Sequence, residues 1–317
     1  MPVPTGRFAP SPTGPLHVGN LRTALLAWLF ARSSGSTFLV RVEDLDRAAA
    51  REHHVRAHLA DLKALGLDWD GEVVRQSDRF DRYEAALDRL AADGLLYPCY
   101  CSRREVLAAV SAPHGPQPGG AYPGTCRDLT PRDRAAREAG GRRPAWRVRA
   151  GGERVQVVDR LHGGFDAVVD DFVVRRGDGA PAYQLAVVVD DADQRVGEVV
   201  RGDDLLDSTP RQAWLGRRLE LPIPAYAHVP LVLGADGERL AKRHGAVTLS
   251  DLAAAGASPV SVLTSMAISL GLAVAGEADA AATAGLSADA LVAILVERFD
   301  PAGLPRRPWT FHPVSAA

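Results

Sequence analysis

The sequence predicts an α/β protein built on a parallel sheet with flanking helices. Three observations lead there. The first ninety residues alternate strand and helix patterns in the order β-α-β-α, the arrangement of a parallel sheet with its ligands at the carboxyl ends of the strands. A strand pattern then ends in a run of acids, Glu43-Asp44-Leu45-Asp46. Finally, the regular pattern breaks from about Leu95 to Gly164 and resumes afterwards, as it does when a sub-domain is inserted into such a sheet.

Thr5 to Ala9 reads as a short first strand, followed by a Pro- and Gly-rich loop from Pro10 to Pro15. The spacing of Leu21, Leu25, Trp28 and Leu29 predicts a helix over 18–32 with one buried face. Thr37 to Val42 alternates as a second strand. Helical patterns follow at Val55–Leu65 (Val55, Leu59, Leu62) and Phe80–Leu90 (Phe80, Tyr83, Leu87, Leu90). The segment from Leu95 to Gly164 is rich in Cys, Pro, Gly and Arg. After it, Asp171 to Arg175 reads as a strand, Asp178-Gly179 as a turn, and the apolar run Tyr183 to Asp190 as a buried strand ending in acids. The tail from Ser250 is helical and alanine-rich, and no internal repeat is visible. The expected division is 1–95 and 165–249 as two halves of a nucleotide-binding domain, 96–164 as the insert, and 250–317 as a helical C-terminal region.

Composition narrows the function classes. With 317 residues, 46% apolar and 24% charged, the chain has the mix of a globular enzyme. No run of 18 or more apolar residues occurs, and Met1 to Arg7 lacks the layout of a signal peptide, so a cytoplasmic protein without a membrane partner is expected. A net charge of -2 gives no global attraction to nucleic acid, so an RNA partner needs a local basic face. The arginines between Arg132 and Arg149 supply one; a solvated surface is the equal alternative. The three cysteines, Cys99, Cys101 and Cys126, are an odd number in one short segment, which argues against a disulfide framework.

The loop Pro10-Ser11-Pro12-Thr13-Gly14-Pro15-Leu16-His17-Val18-Gly19-Asn20 joins strand to helix. Its prolines stiffen it, and Gly14 and Gly19 permit close approach of backbone to a ligand. His17 and Asn20, three apart at a helix start, can face one ligand, and the free N–H groups there favour phosphate. Alternatively His17 only caps the helix. A second segment, Arg239-Leu240-Ala241-Lys242-Arg243-His244-Gly245, carries one of only two lysines, the other being Lys63, among 37 basic residues. A lysine retained amid arginines suits a place that needs a compact, flexible ammonium, such as a mobile loop closing on a triphosphate.

These two segments in this order resemble the paired signatures of class I aminoacyl-tRNA synthetases, with Asn20, Arg239, Leu240 and Ala241 departing from the usual residues. Four longer stretches narrow the resemblance to the glutamyl branch: Arg7 to Gly14, Arg41 to Asp46, Tyr183 to Asp191, and Val200 to Gln212. The resemblance implies a Rossmann-like catalytic domain that takes ATP, with Mg²⁺, and L-glutamate. His17, Gly19, Asn20 and Lys242 would meet ATP, with His17 and Lys242 catalytic. Glutamate would lie against Arg7, Phe8, Ala9, Pro10, Ser11, Glu43, Tyr183 and Arg201. Two arginines would grip its carboxylates, Arg7 taking that of the side chain, and Glu43 would receive the amino group.

The order Cys99-x-Cys101 and Tyr122-x-x-x-Cys126 places thiols where four-coordinate Zn²⁺ is a natural occupant. Here the spacing resembles that of the glutamyl-queuosine enzymes, short relatives of the glutamyl-tRNA synthetases, and implies Tyr122 as the fourth ligand of a structural site. His114 is the alternative by ligand type. The end of the chain soon after Pro308 to Pro313, without a long helical anticodon-binding region, fits the same group. That resemblance implies a monomer whose RNA partner is tRNA(Asp) bearing queuosine. A short glutamyl-tRNA synthetase charging a tRNA 3′ end, a non-catalytic binding relative, and a related adenylate-forming ligase acting on a small molecule are the alternatives.

Overall fold

A computed structural model describes residues 5–102, 104–106, 122–241, 244–245, 247–272 and 285–312. The first half runs β1 (Gly6–Phe8), α1 (Val18–Ser33), β2 (Phe38–Val42), α2 (Glu52–Ala64), β3 (Val74–Arg75) and α3 (Phe80–Ala92). All three strands are parallel, with Gly6 opposite Phe38 and Arg41 opposite Val74. Helix α1 is apolar on nearly every side, because it packs between the sheet and the C-terminal helices: Val18, Leu21, Ala24 to Ala31 are all buried. Helix α3 shows the opposite pattern, a single stripe of Tyr83, Leu87 and Leu90 below a polar outer face.

Next come β4 (Leu96–Cys99), α4 (Pro131–Ala139), β5 (Ala145–Val148), β6 (Arg154–Asp159), β7 (Gly163–Val168) and β8 (Val173–Arg175). Strands β4, β5 and β8 form an antiparallel sheet in that order. Strands β6 and β7 form a hairpin in full register from Arg154–Val168 to Asp159–Gly163. Helix α4 starts in a capping box, Thr130 and Asp133 each bonding the other's backbone N–H.

The chain continues as α5 (Tyr183–Asp193), β9 (Glu198–Gly202), α6 (Thr209–Arg218), β10 (Ala225–Val229), β11 (Val232–Leu233), α7 (Leu249–Ala254), α8 (Pro259–Ser269), α9 (Ala288–Arg298) and β12 (Trp309–Thr310). Strand β9 pairs in parallel with β10. A single parallel bridge, Thr5 to Val196, and the Gly197 N–H donated to the Thr5 carbonyl join β9 to β1. The N-terminal strand is therefore central, between β2 and β9. Strand β6 touches β10 through one register pair, Tyr226 opposite Asp159.

The expected buried strand at Tyr183–Asp190 is a helix, α5. Three successive valines, Val187 to Val189, suggest β structure, but the burial pattern is helical: Leu185, Ala186 and Val189 enter the core around Trp214 and Tyr83. Helical geometry also sends Asp190, Asp191, Asp193 and Gln194 all to arginines, whereas a strand would point neighbours to opposite faces. Tertiary partners here override local preference.

Arg22 is buried on α1 with no carboxylate partner among the described residues. Its guanidinium donates to the Ser269 hydroxyl, the Ser269 carbonyl and the Pro230 carbonyl at 2.8, 3.4 and 3.0 Å. Ser269 ends α8, so the negative end of that helix supplies the compensation. Burial still draws the Arg22 pKa down to about 10.

Candidate active site

A cleft of about 540 Å³ opens at the carboxyl ends of β1, β2 and β9. It is lined by Arg7, Phe8, Ala9, Pro10, Ser11, His17, Gly19, Asn20, Glu43, Tyr183 and Arg201, which the sequence assigned to glutamate or ATP. Lys242 and His114 lie outside the described residues.

His17 is both cap and cleft wall. Its Nδ1 accepts the Asn20 backbone N–H at 3.3 Å, and the Asn20 Oδ1 accepts the His17 N–H at 3.1 Å. Because Nδ1 is an acceptor, the ring proton belongs on Nε2, the nitrogen left to meet a ligand. Burial, and then Arg239 nearby, pull the pKa down to about 4, so the ring is neutral at physiological pH. Gly19 is required beside it: a Cβ there would come within 2.9 Å of the imidazole. The buried His58 on α2 bonds the Gly14 carbonyl at 2.7 Å and so steadies the loop.

Arg7, at the end of β1, donates Nε to Asp191 (3.4 Å) and Nη1 to the Val200 carbonyl (3.2 Å). Behind it, the fully buried Arg41 bonds Asp191 and Gln194, both at 2.8 Å, and Glu43 at 3.4 Å. Burial pushes the Asp191 pKa up, but Arg41 and Arg7 more than reverse this, leaving it below the usual carboxylate range. At Glu43 burial wins over the same two arginines, and the pKa is raised. Asp190, also fully buried, accepts from Gln76, Arg79 and Tyr83 at 2.7–3.0 Å. Asp44 in turn holds Ser77 through its backbone N–H and hydroxyl, both at 2.8 Å, which anchors the 3₁₀ turn Gln76–Asp78.

Arg201, on β9, also lines the cleft. Its guanidinium donates to His228, Gln212, Thr209, the Leu205 carbonyl and Tyr183; the last two contacts are longest, at 3.4 Å. Across the mouth, Arg239 of the second signature segment pairs with Asp204 at 2.5 Å. His244, from the same segment, accepts the Ala241 N–H and bonds Asp236. A second opening of about 860 Å³ shares Ser11, Thr13, Glu43 and Tyr183 with the first and continues past Asp46, Ala145 and Arg176.

Sequence reasoning missed the supporting acids and their partners. Asp190, Asp191 and Arg41 stood inside stretches that carried the resemblance, so position there was the available signal. Nothing local marks Asp159 or His228.

A family model described as tRNA synthetases class I (E and Q), catalytic domain, matches residues 3–301. The chain belongs to that family. Similar class I synthetases include the glutamyl-Q tRNA(Asp) synthetase of Nocardia farcinica, 60% identical over 96% of this chain and 92% of that protein. The namesake from Symbiobacterium thermophilum is 54% identical over 84% and 86%. Among solved structures, a glutamate tRNA ligase from Elizabethkingia meningosepticum, in complex with its amino acid, superposes with a TM-score of 0.76 at 24% identity. That match covers 99% of this chain and 68% of the ligase. It shows the shared synthetase fold: the parallel α/β catalytic body described above. No helix among the described residues is long and apolar enough to cross a membrane.

Away from the cleft, Cys99, Cys101 and Cys126 are free thiols whose sulfurs lie within 4.8 Å of one another. Cys101 and Cys126 Sγ are 3.5 Å apart. The Tyr122 hydroxyl is 3.3 Å from Cys99 Sγ and 3.7 Å from Cys101 Sγ, and accepts the Cys126 N–H at 2.8 Å. Tetrahedral thiolate around zinc, with Zn–S of about 2.3 Å, puts sulfurs about 3.8 Å apart, so this cluster is of the right size and chemistry for such an ion. The Arg147 guanidinium stacks 3.7 Å from the Tyr122 ring centroid.

Proposed function

We propose that this chain activates L-glutamate with ATP, without needing tRNA, and passes the glutamyl group to queuosine at the wobble position of tRNA(Asp). The observation that carries the reading is the pair of arginines, Arg7 on β1 and Arg201 on the neighbouring β9, lining one cleft whose rim holds a helix N-terminus and His17. Glutamate brings two carboxylates and one ammonium. Arg7 uses Nε and Nη1 on protein partners, which leaves Nη2 for a carboxylate. Arg201 can release its two long contacts, to Tyr183 and the Leu205 carbonyl, in favour of the other carboxylate. Glu43, just past the end of β2, lines the same cleft and is the acceptor for the ammonium.

The α-carboxylate oxygen attacks the α-phosphorus of ATP and pyrophosphate leaves, giving the mixed anhydride. Magnesium travels with ATP as part of the substrate and neutralises the leaving charge. The neutral His17 presents its Nε2–H, and the first turn of α1 its N–H groups, to the phosphates. A queuosine hydroxyl then attacks the activated carbonyl and AMP leaves. No protein nucleophile takes part; alignment and charge stabilisation do the work. The second opening, continuous with the first at Tyr183 and Glu43, is the route for the acceptor nucleoside. We assign the cysteine cluster with Tyr122 to structural Zn²⁺, holding β4 to the segment around Cys126.

Glutamate-dependent ATP–pyrophosphate exchange without RNA tests the first step. Exchange is expected; exchange that appears only with tRNA refutes tRNA independence. Acylation of tRNA(Asp) with and without queuosine, with the acylated position mapped, tests the second, and charging at the 3′ end would identify an ordinary glutamyl-tRNA synthetase.

A further inference from the structure

Arg201 is held by a buried imidazole with only one usable lone pair. His228, on β10, has no exposed side-chain surface, nor has Asp159 at the end of β6. The Asp159 Oδ2 is 2.7 Å from His228 Nδ1 and 3.0 Å from the His228 backbone nitrogen. The Asp159 Oδ1 accepts the N–H groups of Leu161 and His162 at 2.8 and 2.9 Å. A carboxylate already ringed by three backbone N–H donors is ionised and can only accept, so the Nδ1 facing it carries the proton. The opposite nitrogen, Nε2, lies 3.0 Å from Arg201 Nε, whose hydrogen points at it, and 3.1 Å from the Thr209 hydroxyl. A guanidinium N–H can only donate, so Nε2 must be bare. Both ends of the ring therefore specify the same tautomer.

We propose that His228, fixed by Asp159 with its proton on Nδ1, is a positioning residue that orients the Arg201 guanidinium towards the glutamate carboxylate. This rests on the reading that Arg201 binds glutamate. The Nε–H bond fixes the plane of the fork, while Gln212 and Thr209 fix its two arms at 2.8 and 2.9 Å. Tyr226, on the same strand, stacks on the imidazole at 6.0 Å and 15° and also lies 5.6 Å from the guanidinium carbon, so it prevents either group from tilting. Burial, helped by Arg201 and His162 and opposed by Asp159, keeps the His228 pKa below its ordinary value. Among the described residues Asp203, after β9, also faces it. The ring stays neutral and Nε2 stays an acceptor. The fold supplies the arrangement economically: the register pair Tyr226–Asp159 brings the carboxylate beside β10.

Two substitutions separate positioning from support. His228→Asn places an amide N–H where Nδ1 was and keeps Asp159 satisfied, but offers Arg201 nothing. His228→Gln can extend a carbonyl oxygen to Arg201 at the expense of the Asp159 bond. In glutamate-dependent pyrophosphate exchange, His228→Asn is expected to raise the glutamate KM about tenfold or more with the ATP KM little changed, the effect of losing one hydrogen bond to a charged group. His228→Gln is expected to recover part of that loss. Unchanged glutamate KM in His228→Asn, or a milder effect there than in His228→Gln, overturns the proposal. Arg201→Ala is the control: if it leaves the glutamate KM unaltered, the pocket assignment itself fails. Nitrogen-15 spectra of the unmodified protein labelled at histidine give an answer independent of any variant. An Nδ1–H, Nε2-bare signal is expected for His228, and an Nε2–H signal refutes the idea.

Discussion

Replacing His17 separates the two tasks that the structure gives one ring. As N-cap it accepts the Asn20 N–H and fixes the start of α1; as a cleft residue it offers Nε2–H to a phosphate. His17→Asn keeps the first task, since asparagine is among the best N-caps, and abolishes the second because its amide is too short. His17→Ala removes both. Loss of a cap costs about 1 kcal/mol. With an unfolding entropy of about 2.1 cal/mol/K per residue, a chain of 317 residues loses about 1.5 °C of Tm per kcal/mol. His17→Ala should therefore melt about 1–3 °C lower, and His17→Asn within about 1 °C of the unmodified protein. Removing a donor aimed at developing charge costs about 100- to 1000-fold in rate, so both variants should lose kcat of that order in pyrophosphate exchange. Stability also carries a pH signature. The folded pKa of about 4 lies below the ordinary histidine value of about 6.5, so the unfolded chain binds the extra proton first. This contribution is complete above pH 6.5 and is lost as pH falls towards 4. Scanning calorimetry and exchange kinetics on the two variants decide the matter. Wild-type kcat in His17→Asn would show that the histidine is only a cap.

Asp190→Asn should lower Tm by up to about 5–8 °C, because removing one member of a buried ion cluster costs up to about 3–5 kcal/mol, while Asp191 and Glu43 still face Arg41 and Asp193 still faces Arg79; a melt within 1 °C of the unmodified protein would show that the cluster is not stabilising. Cys126→Ser should reduce metal content from about one zinc per chain and lower Tm with it, as read by elemental analysis and calorimetry; metal-free unmodified protein under non-chelating conditions would retire the site. Lys242→Arg should slow adenylate formation by at least about tenfold with little change in ATP KM, as the fixed fork follows a triphosphate less well than a flexible ammonium. Lys63→Arg, on the exposed face of α2 with its ammonium 5.4 Å from the Trp69 ring, should be silent in the same stopped-flow assay.

How much of this was legible in the sequence depends on the distance over which each residue is determined. Helices α1 and α3 were readable because their apolar spacing repeats every turn, and the cysteine cluster because its residues are close in sequence. The cleft residues on β1, β2 and α1 were readable as a set because one strand–loop–helix unit presents most of them. Helix α5 was misread because Val187 to Val189 look like strand, while the arginines that reward the helix come from β1, β2 and α3. In the Asp159–His228–Arg201 chain only Arg201 was legible; Asp159 and His228 left no local trace. Its members come from three strands and meet only through sheet pairing.

The central place of β1 bears on how the chain is made. One edge of β1 is filled at once by β2, but the other waits for residues 196 and 197, about 150 residues later. At about 5–20 residues per second of synthesis, that edge stands open for roughly 8–30 s. During this interval a nascent chain carries a parallel two- or three-strand sheet and the all-round apolar α1 with neither covered, the kind of surface on which neighbouring chains pair. The same topology that gathers the cleft from distant strands thus leaves the N-terminal half exposed while the rest is made. Fragments ending before β9 should be recovered as aggregates, and those reaching past β10 as soluble protein.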